Sequence, residues 1–96
     1  MFKDLDPVIH SQLRLAIMSM LQECGEADFS TIKEKTRATA GNLSVQIQKL
    51  KEAGYILVNK NFRNNFPNTS CKLSAKGKKA FANYIEALNS YLHSVN

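Results

Sequence analysis

The chain has little of what marks a disordered, membrane-spanning or metal-binding protein. Its 96 residues include only two prolines and four glycines, and they contain no low-complexity tract. No apolar run approaches the roughly 18 to 20 residues that span a bilayer. The two cysteines and two histidines follow no metal-ligand spacing. We therefore expect one folded domain over residues 1–96, with no metal, no cofactor and no membrane partner.

Signals for secretion and for catalysis are also missing. The opening segment Met1–Asp6 is acidic, whereas a signal peptide is basic and then apolar. This predicts a cytoplasmic protein in which Cys24 and Cys71 are free thiols. The chain has no glycine-rich phosphate loop, and we expect His10 and His93 to be surface or interface residues rather than catalytic bases. We therefore do not expect an enzyme.

Positive charge is concentrated in the middle of the chain. Residues 33–82 hold eleven lysines and arginines against two glutamates, a net charge of +9, whereas residues 1–32 sum to −3. Such asymmetry within one small domain is typical of a surface that faces a polyanion. A basic face that only keeps a protein in solution would look the same, so charge leaves both interpretations open.

The first and last helices are predicted from apolar residues at three- and four-residue steps. The first is predicted over Pro7–Cys24, with Asp6 as its N-cap and Gly25 at its end. The last begins after Ser74, a capping hydroxyl, and carries an apolar stripe towards the end of the chain. All the other predicted elements lie between these two helices in the sequence.

A helix-turn-helix is predicted between them. A short helix around Ile32, with a capping hydroxyl at Ser30 or Thr31, ends near Thr36 or Arg37. A longer helix opens at Thr39 and closes at Gly54. Two helices in this order, joined by a tight turn, are the helix-turn-helix pattern.

A β-hairpin is predicted next. Tyr55–Val58 is β-branched and aromatic, Asn59–Asn68 has the composition of a loop, and Thr69–Leu73 returns as the partner strand. This predicts a hairpin with a long tip. The fold class is therefore mainly α with a small β-hairpin (α+β), a winged helix-turn-helix with a three-helix core, a wing and a C-terminal helix.

Four pieces of sequence resemble small winged helix repressors of the MarR and ArsR families, and above all a compact group of winged helix DNA-binding domain proteins. The pieces are Asp6–Ser11 with Leu13–Ile17, Gly41–Ser44 with Ile47 and Lys49-Leu50, Glu52–Ile56, and Leu73–Gly77 with Ala80-Phe81. The resemblance covers nearly the whole chain and implies a DNA-binding transcriptional regulator. The chain departs from its apparent relatives in a less basic wing, and in Gln46 where they often have a histidine.

The polar face of the third helix is the candidate DNA-reading surface. With Leu43, Ile47 and Leu50 turned towards the core, the opposite face is polar and nearly free of acids. Asparagine and glutamine pair bidentately with adenine, serine reaches base edges or phosphate, and a methyl group contacts thymine. The candidate DNA-binding residues here are Thr39, Gly41, Asn42, Ser44, Val45, Gln46 and Lys49. An ordinary solvated helix face is the alternative.

The hairpin adds three basic candidates for DNA binding. Lys60 and Lys72 lie on its strands, and Arg63 at its tip is the candidate minor-groove contact. A narrow minor groove has an enhanced negative potential that attracts such a cation. We expect Phe62 and Phe66 to pack under the wing rather than to wedge into DNA.

The last helix predicts a homodimer. Its apolar stripe continues beyond what so small a core can cover, so residues 1–73 are predicted as core and wing and residues 74–96 as a dimerisation helix. The predicted interface residues are Phe2, Leu5, Val8, Ile9, Phe81, Tyr84, Ile85, Leu88, Tyr91 and Leu92, and the stripe runs on to Val95. A two-fold interface would set two recognition helices about 34 Å apart.

Together these features predict a sequence-specific transcriptional regulator, which we expect to be a repressor. It would bind double-stranded DNA as a homodimer, with the third helix in the major groove and the wing at the minor groove. One alternative is a winged helix protein-interaction module that does not bind DNA. Another is a repressor that senses redox state or a small-molecule effector at the dimer interface, and the sequence identifies no such effector.

Overall fold

The computed structural model describes residues 1–93, which form four helices and a three-stranded antiparallel sheet. The elements are α1 (Gln12–Cys24), β1 (Glu26–Asp28), α2 (Phe29–Thr36), α3 (Ala40–Glu52), β2 (Ile56–Arg63), β3 (Phe66–Leu73) and α4 (Ala75–Leu92). The predicted winged helix-turn-helix is confirmed. Val95, which the sequence placed on the apolar stripe, lies outside the described residues. None of the helices in residues 1–93 has the length and hydropathy of a membrane span.

The start of α1 differs from the prediction. The N-cap is Ser11, whose side chain accepts a hydrogen bond from the backbone N–H of Arg14 at 3.4 Å. Asp6 instead stabilises a turn, because its Oδ1 accepts from the backbone N–H of Val8 at 2.9 Å. The backbone N–H groups of Ile9 and His10 both donate to the carbonyl oxygen of Asp6, at 3.1 and 2.8 Å, so one isolated turn precedes the helix. The predicted end is confirmed, since Gly25 has a φ of 85°.

Asp6 also ties this turn to the rest of the domain. Its Oδ2 accepts a hydrogen bond of 2.5 Å from the Tyr55 hydroxyl, just before β2. This hydrogen bond is the main reason that the pKa of Tyr55 is raised to about 12, with burial as the second cause. Asp6 thus acts as a link between the N-terminal turn and the sheet rather than as a helix cap.

A short strand that the sequence did not predict follows α1. β1 pairs with β3, with Ala27 opposite Cys71, so β3 is the central strand of the sheet. The segment Glu26–Asp28 contains residues that strands disfavour, so its pairing comes from tertiary contact rather than local preference. The N-cap of α2 is therefore Asp28, in place of the expected hydroxyl at Ser30 or Thr31.

The wing, defined as the hairpin of β2 and β3, is longer and has a tighter turn than predicted. Only Asn64 and Asn65 lie between the strands, with φ values of 52° and 66°. Two-residue turns of this left-handed kind match the twist of a hairpin, and asparagine tolerates them. The predicted long loop is therefore wrong. Asparagines elsewhere in that stretch lie in the strands, where Asn68 donates to Asn61 across the ribbon at 3.1 Å.

The core lies between the helices and one face of the sheet. The predicted inward residues of α3, Leu43, Ile47 and Leu50, are all buried. The largest fully buried side chains are Ile9, Ile17, Met18, Leu21, Ile32, Leu43, Leu50, Ile56 and Cys71. With these residues inside, the rest of α3 faces solvent next to the wing.

The start of α4 is confirmed at Ser74. Its Oγ accepts from the backbone N–H of Gly77 at 2.9 Å and donates to the carbonyl oxygen of Gly54 at 2.6 Å. One hydroxyl therefore caps α4 and binds the end of the turn that follows α3.

Candidate nucleic-acid interface

The exposed face of α3 brings together the residues that are predicted to bind DNA. Thr39 caps the helix, its Oγ1 accepting from the backbone N–H of Asn42 at 3.1 Å. Val45 is 51% exposed, which is unusual for a branched apolar side chain and leaves its methyl groups available to a partner. The remaining predicted residues on this helix are exposed, apart from the half-buried Gln46: they are Gly41, Asn42, Ser44 and Lys49.

Gln46 is hydrogen-bonded to an arginine of α1 that the sequence did not predict as part of the site. Arg14 of α1 donates from Nη1 to Gln46 Oε1, and Gln46 Nε2 donates to Asn42 Oδ1 at 3.0 Å. Arg14 and Gln46 are 32 positions apart in the chain, so no local pattern could have joined them. Two of the predicted reading residues therefore have fixed side-chain partners within the protein.

A cleft of about 340 Å³ separates α3 from the wing. Ser44, Gln48 and Lys51 line it from the helix, and Lys60 and Thr69 line it from the wing. Lys60 is thus placed beside α3, as a DNA-binding role requires. Lys51 was not among the predicted DNA-binding residues. It lies in the last turn of α3, and no sequence pattern placed it beside the wing.

Strand register places the other two wing cations on the opposite face. Cross-strand partners share a face, and successive residues alternate between faces. Lys60 pairs with Thr69 on the cleft side, so Lys72, opposite Leu57, falls on the other side. Lys72 is therefore exposed but is not part of the surface that α3 and the cleft form.

Arg63 shares that outer face and has a partner there. Its Nη1 donates to Oδ2 of Asp28 at 2.8 Å, so the guanidinium is turned back along the wing towards β1. The side chain of Arg63 is still two-thirds exposed. Its predicted contact with a minor groove would therefore require exchange of this ion pair.

The two wing phenylalanines do not pack under the wing. Phe62 is 76% exposed and Phe66 is 72% exposed. They flank the two-residue turn on opposite faces of the ribbon, because Phe62 pairs with Pro67 and Phe66 with Arg63. The expectation of packing is wrong because the longer strands carry both rings beyond the core.

The predicted dimer residues divide into a buried and an exposed group. Ile9 is 0% and Tyr84 is 3% exposed, so both belong to the core of a single chain and neither is free to contact a partner. Four more are half-buried and pack against that core: Leu5, Val8, Phe81 and Leu88. Four are exposed: Phe2, Ile85, Tyr91 and Leu92.

The N-terminal segment packs along the end of α4. The rings of Phe2 and Tyr91 stack with centroids 4.9 Å apart, and the Tyr91 hydroxyl donates to the Lys3 carbonyl oxygen at 2.8 Å. The Lys3 ammonium lies 2.6 Å from Oε1 of Glu86 and holds the pKa of that carboxyl below its usual value. Phe2 and Tyr91 thus lie near Leu92 at the C-terminal end of α4, and Ile85 is exposed two turns earlier.

The chain is similar to known proteins over most of its length. Residues 13–92 match the winged helix DNA-binding domain family. An uncharacterized protein of Methanocaldococcus jannaschii is 33% identical over 78 residues, which are 81% of this chain and 85% of that protein. The structure of a transcriptional regulator homologue from Pyrococcus horikoshii is similar with a TM-score of 0.86 at 24% identity, covering 93% of this chain and 88% of that one.

A structure determined with DNA shows the same fold. Bacillus subtilis PadR, in complex with operator DNA, is similar with a TM-score of 0.68 at 15% identity. The similarity covers 92% of this chain and 61% of PadR. At this level of identity the similarity concerns the fold alone.

Proposed function

Because the chain belongs to the winged helix DNA-binding domain family, whose fold is that of transcriptional regulators, we propose that it regulates transcription by binding duplex DNA through α3 and the adjoining cleft. The observation that carries the proposal is the exposed polar face of α3, which is nearly free of acids, beside a cleft lined by Lys51 and Lys60. Glu52 is the one acidic residue of α3 and lies at its C-terminal end.

In the proposed complex, α3 lies in the major groove and the DNA backbone runs through the cleft. The groove is about 12 Å wide and admits one helix. The N-terminus of α3, at Thr39 and Gly41, favours phosphate oxygens through its free backbone N–H groups. Lys49, Lys51 and Lys60 contact phosphates, and Asn42, Ser44 and Val45 reach base edges. The outward-facing Lys72 has no part in this surface.

The tip of the wing is proposed to meet the minor groove. Arg63 is its cation, and its ion pair with Asp28 has one largely exposed partner. Such ion pairs contribute about 0 to 1 kcal/mol to stability, so little is lost when this one breaks. The negative potential of a narrow minor groove attracts the freed guanidinium. Arg63 therefore remains a candidate contact although the free protein binds it to Asp28.

We also propose that the protein is a homodimer and a repressor. The exposed side chains of Ile85 and Leu92, in the second half of α4, support self-association, because packing within one chain leaves much of their apolar surface exposed. A dimer would hold two α3 helices for the two halves of an inverted repeat. Bound in this way, it would exclude other proteins from the same DNA, which is the basis on which we expect repression.

The test is binding to duplex DNA selected from a random pool, measured by fluorescence anisotropy over a range of salt concentrations. Each phosphate neutralised lowers the logarithm of the association constant with a slope of about 0.9 per decade of salt. We expect Lys51→Gln and Lys60→Gln each to reduce the slope by about 0.9. Lys72→Gln is the matched control and should leave it unchanged. The absence of any salt-sensitive complex with selected DNA would refute the proposal and favour a protein-interaction module.

A further inference from the structure

A chain of hydrogen bonds connects α1 to the exposed face of α3. The guanidinium of Arg14 donates from Nε to the carbonyl oxygen of Val8 at 2.5 Å and from Nη2 to that of Pro7 at 3.4 Å. Its Nη1 donates to Oε1 of Gln46. Because the guanidinium is planar and rigid, two bonds to the backbone of the N-terminal turn fix the direction of the third. The side-chain amide of Gln46 is thereby oriented by a residue of another helix.

The orientation passes from Gln46 to Asn42. With Oε1 bound to Arg14, the Nε2 group of Gln46 turns towards Asn42 and donates to its Oδ1 at 3.0 Å. The oxygen of Asn42 is then directed along α3 towards Gln46, and its Nδ2 group lies on the other side of the amide. Asn42 is exposed in the first turn of α3, where the proposed DNA contact begins.

We propose that Arg14 is a positioning residue that sets which base α3 reads. The inference rests on the proposed function, since it assumes that α3 lies against DNA. An asparagine or glutamine that reads adenine uses one oxygen as acceptor and one N–H as donor. Because its oxygen is turned towards Gln46, Asn42 presents the N–H donors of its Nδ2 group to the groove. Guanine offers two acceptors, N7 and O6, on its major-groove edge. The recognition helix should therefore prefer guanine to adenine at the base that Asn42 faces.

Two substitutions break the chain from opposite ends. Arg14→Lys keeps the positive charge but replaces the rigid fork with a single ammonium, which cannot bind the turn and Gln46 in the same geometry. Gln46→Met keeps a side chain of similar length and leaves the bonds of Arg14 to Pro7 and Val8 in place. Both variants free the Asn42 amide to rotate, so both should change base preference in the same direction.

The experiment compares matched selected duplexes that differ only by G·C or A·T at the base pair that Asn42 faces. This base pair is identified by the loss of preference in Asn42→Ala. For the unmodified protein we expect guanine to be favoured by about fivefold, since the N–H donors of Asn42 meet the acceptor O6 of guanine but the donor N6 of adenine. In Arg14→Lys and Gln46→Met the ratio should fall to about twofold or less, or reverse, and Arg14→Lys should keep its affinity for unselected duplex.

Controls separate this role from a structural one. Arg37→Lys makes the same exchange in the exposed turn before α3 and should leave the base preference unchanged. If Arg14→Lys does not fold, Gln46→Met decides alone, because it leaves the N-terminal turn intact. The inference is overturned if the unmodified protein favours adenine, or if it is selective and the variants keep its preference. If no duplex binds at all, the proposed function fails together with it.

Discussion

At Gly77 the first turn of α4 comes so close to the chain before β2 that no side chain fits. A Cβ atom there would lie 1.9 Å from the carbonyl oxygen of Tyr55 and 2.8 Å from its carbonyl carbon. The same oxygen accepts a hydrogen bond of 3.0 Å from the backbone N–H of Ser74. The oxygen cannot move away without losing this hydrogen bond to Ser74, the N-cap of α4. The absence of a side chain at Gly77 therefore allows α4 to start this close to Tyr55.

We expect Gly77→Ala to lower the free energy of unfolding by about 3 kcal/mol, because the backbone must shift to admit one methyl group. Helix preference alone would favour alanine by about 1 kcal/mol. Gly41→Ala is the matched control, since a Cβ at this helical position meets nothing within 4 Å and should be neutral or stabilising. Urea unfolding of both variants measures the difference, and equal stability of Gly77→Ala and the unmodified protein would contradict it.

The two cysteines should differ sharply in reactivity. Cys71 is 1% exposed, and burial, together with Asp28 and Glu26, raises the pKa of its thiol to about 11. Cys24 is exposed. Since the thiolate is the reactive form, a disulfide reagent at pH 8 should modify one thiol in the folded protein and both after denaturation. Cys24→Ser should abolish the fast reaction, and fast reaction of both thiols in the native state would refute the assignment.

The same pKa has a consequence for stability. A thiol whose pKa is raised from 9.0 to about 11 on folding is stabilised in its protonated form. That contribution is present in full below pH 9 and is lost as the pH rises towards 11, because the unfolded chain ionises first. Unfolding measured across this interval should show a loss of stability in the unmodified protein, part of which comes from Tyr55, and a smaller loss in Cys71→Ala.

Among the elements, those that the sequence predicts well are the ones defined by local signals. The bounds of α3 follow from the Thr39 cap and Gly54, and the start of α4 follows from Ser74. β1 could not be predicted, since its residues disfavour strands and its partner β3 lies far along the chain. The outer part of the wing, Asn59–Asn68, was predicted as a loop because asparagine is typical of turns, whereas most of these asparagines lie in the strands.

The turn of the wing gives a test at this scale. Asn65 has a φ of 66°, which glycine adopts freely and alanine does not. Asn65→Gly should keep or slightly raise stability, because Asn-Gly is the preferred pair in such turns. Asn65→Ala should lower it by about 1 kcal/mol. Thermal unfolding of the pair measures this, and a more stable alanine variant would show that the wing does not close in a two-residue turn.

For the whole molecule, the candidate site was predictable where it lies on one helix and unpredictable where elements meet. The polar face of α3 follows from helical periodicity, and its inward residues Leu43 and Leu50 are buried as expected. Arg14 gave no signal, because its link to Gln46 depends on how α1 packs against α3. Lys72 was assigned to the site because the alternation of the sheet cannot be known before the strand register is.

The exposed apolar residues in the second half of α4 predict that the protein forms a dimer. Ile85 and Leu92 are 37% and 63% exposed, so glutamate fits at either position without entering the core, whereas Tyr84→Glu would bury a charge at a residue only 3% exposed. We expect the unmodified protein to sediment as a dimer at micromolar concentration, and Ile85→Glu and Leu92→Glu to be folded monomers. Loss of the second half-site should weaken binding to an inverted repeat by about 10²-fold or more, because the two contacts no longer share one complex.

The matched control for these variants is Gln22→Glu, which adds the same charge at an exposed position near the end of α1 and should remain dimeric. Far-ultraviolet circular dichroism confirms that each variant is folded, so that a loss of binding is a loss of assembly. Because a two-fold dimer places its recognition helices about 34 Å apart, changing the spacing of the half-sites by five base pairs should weaken binding by the unmodified dimer but not by the monomers. A monomeric wild-type protein that binds one half-site tightly, regardless of spacing, would show that this face of α4 serves another partner.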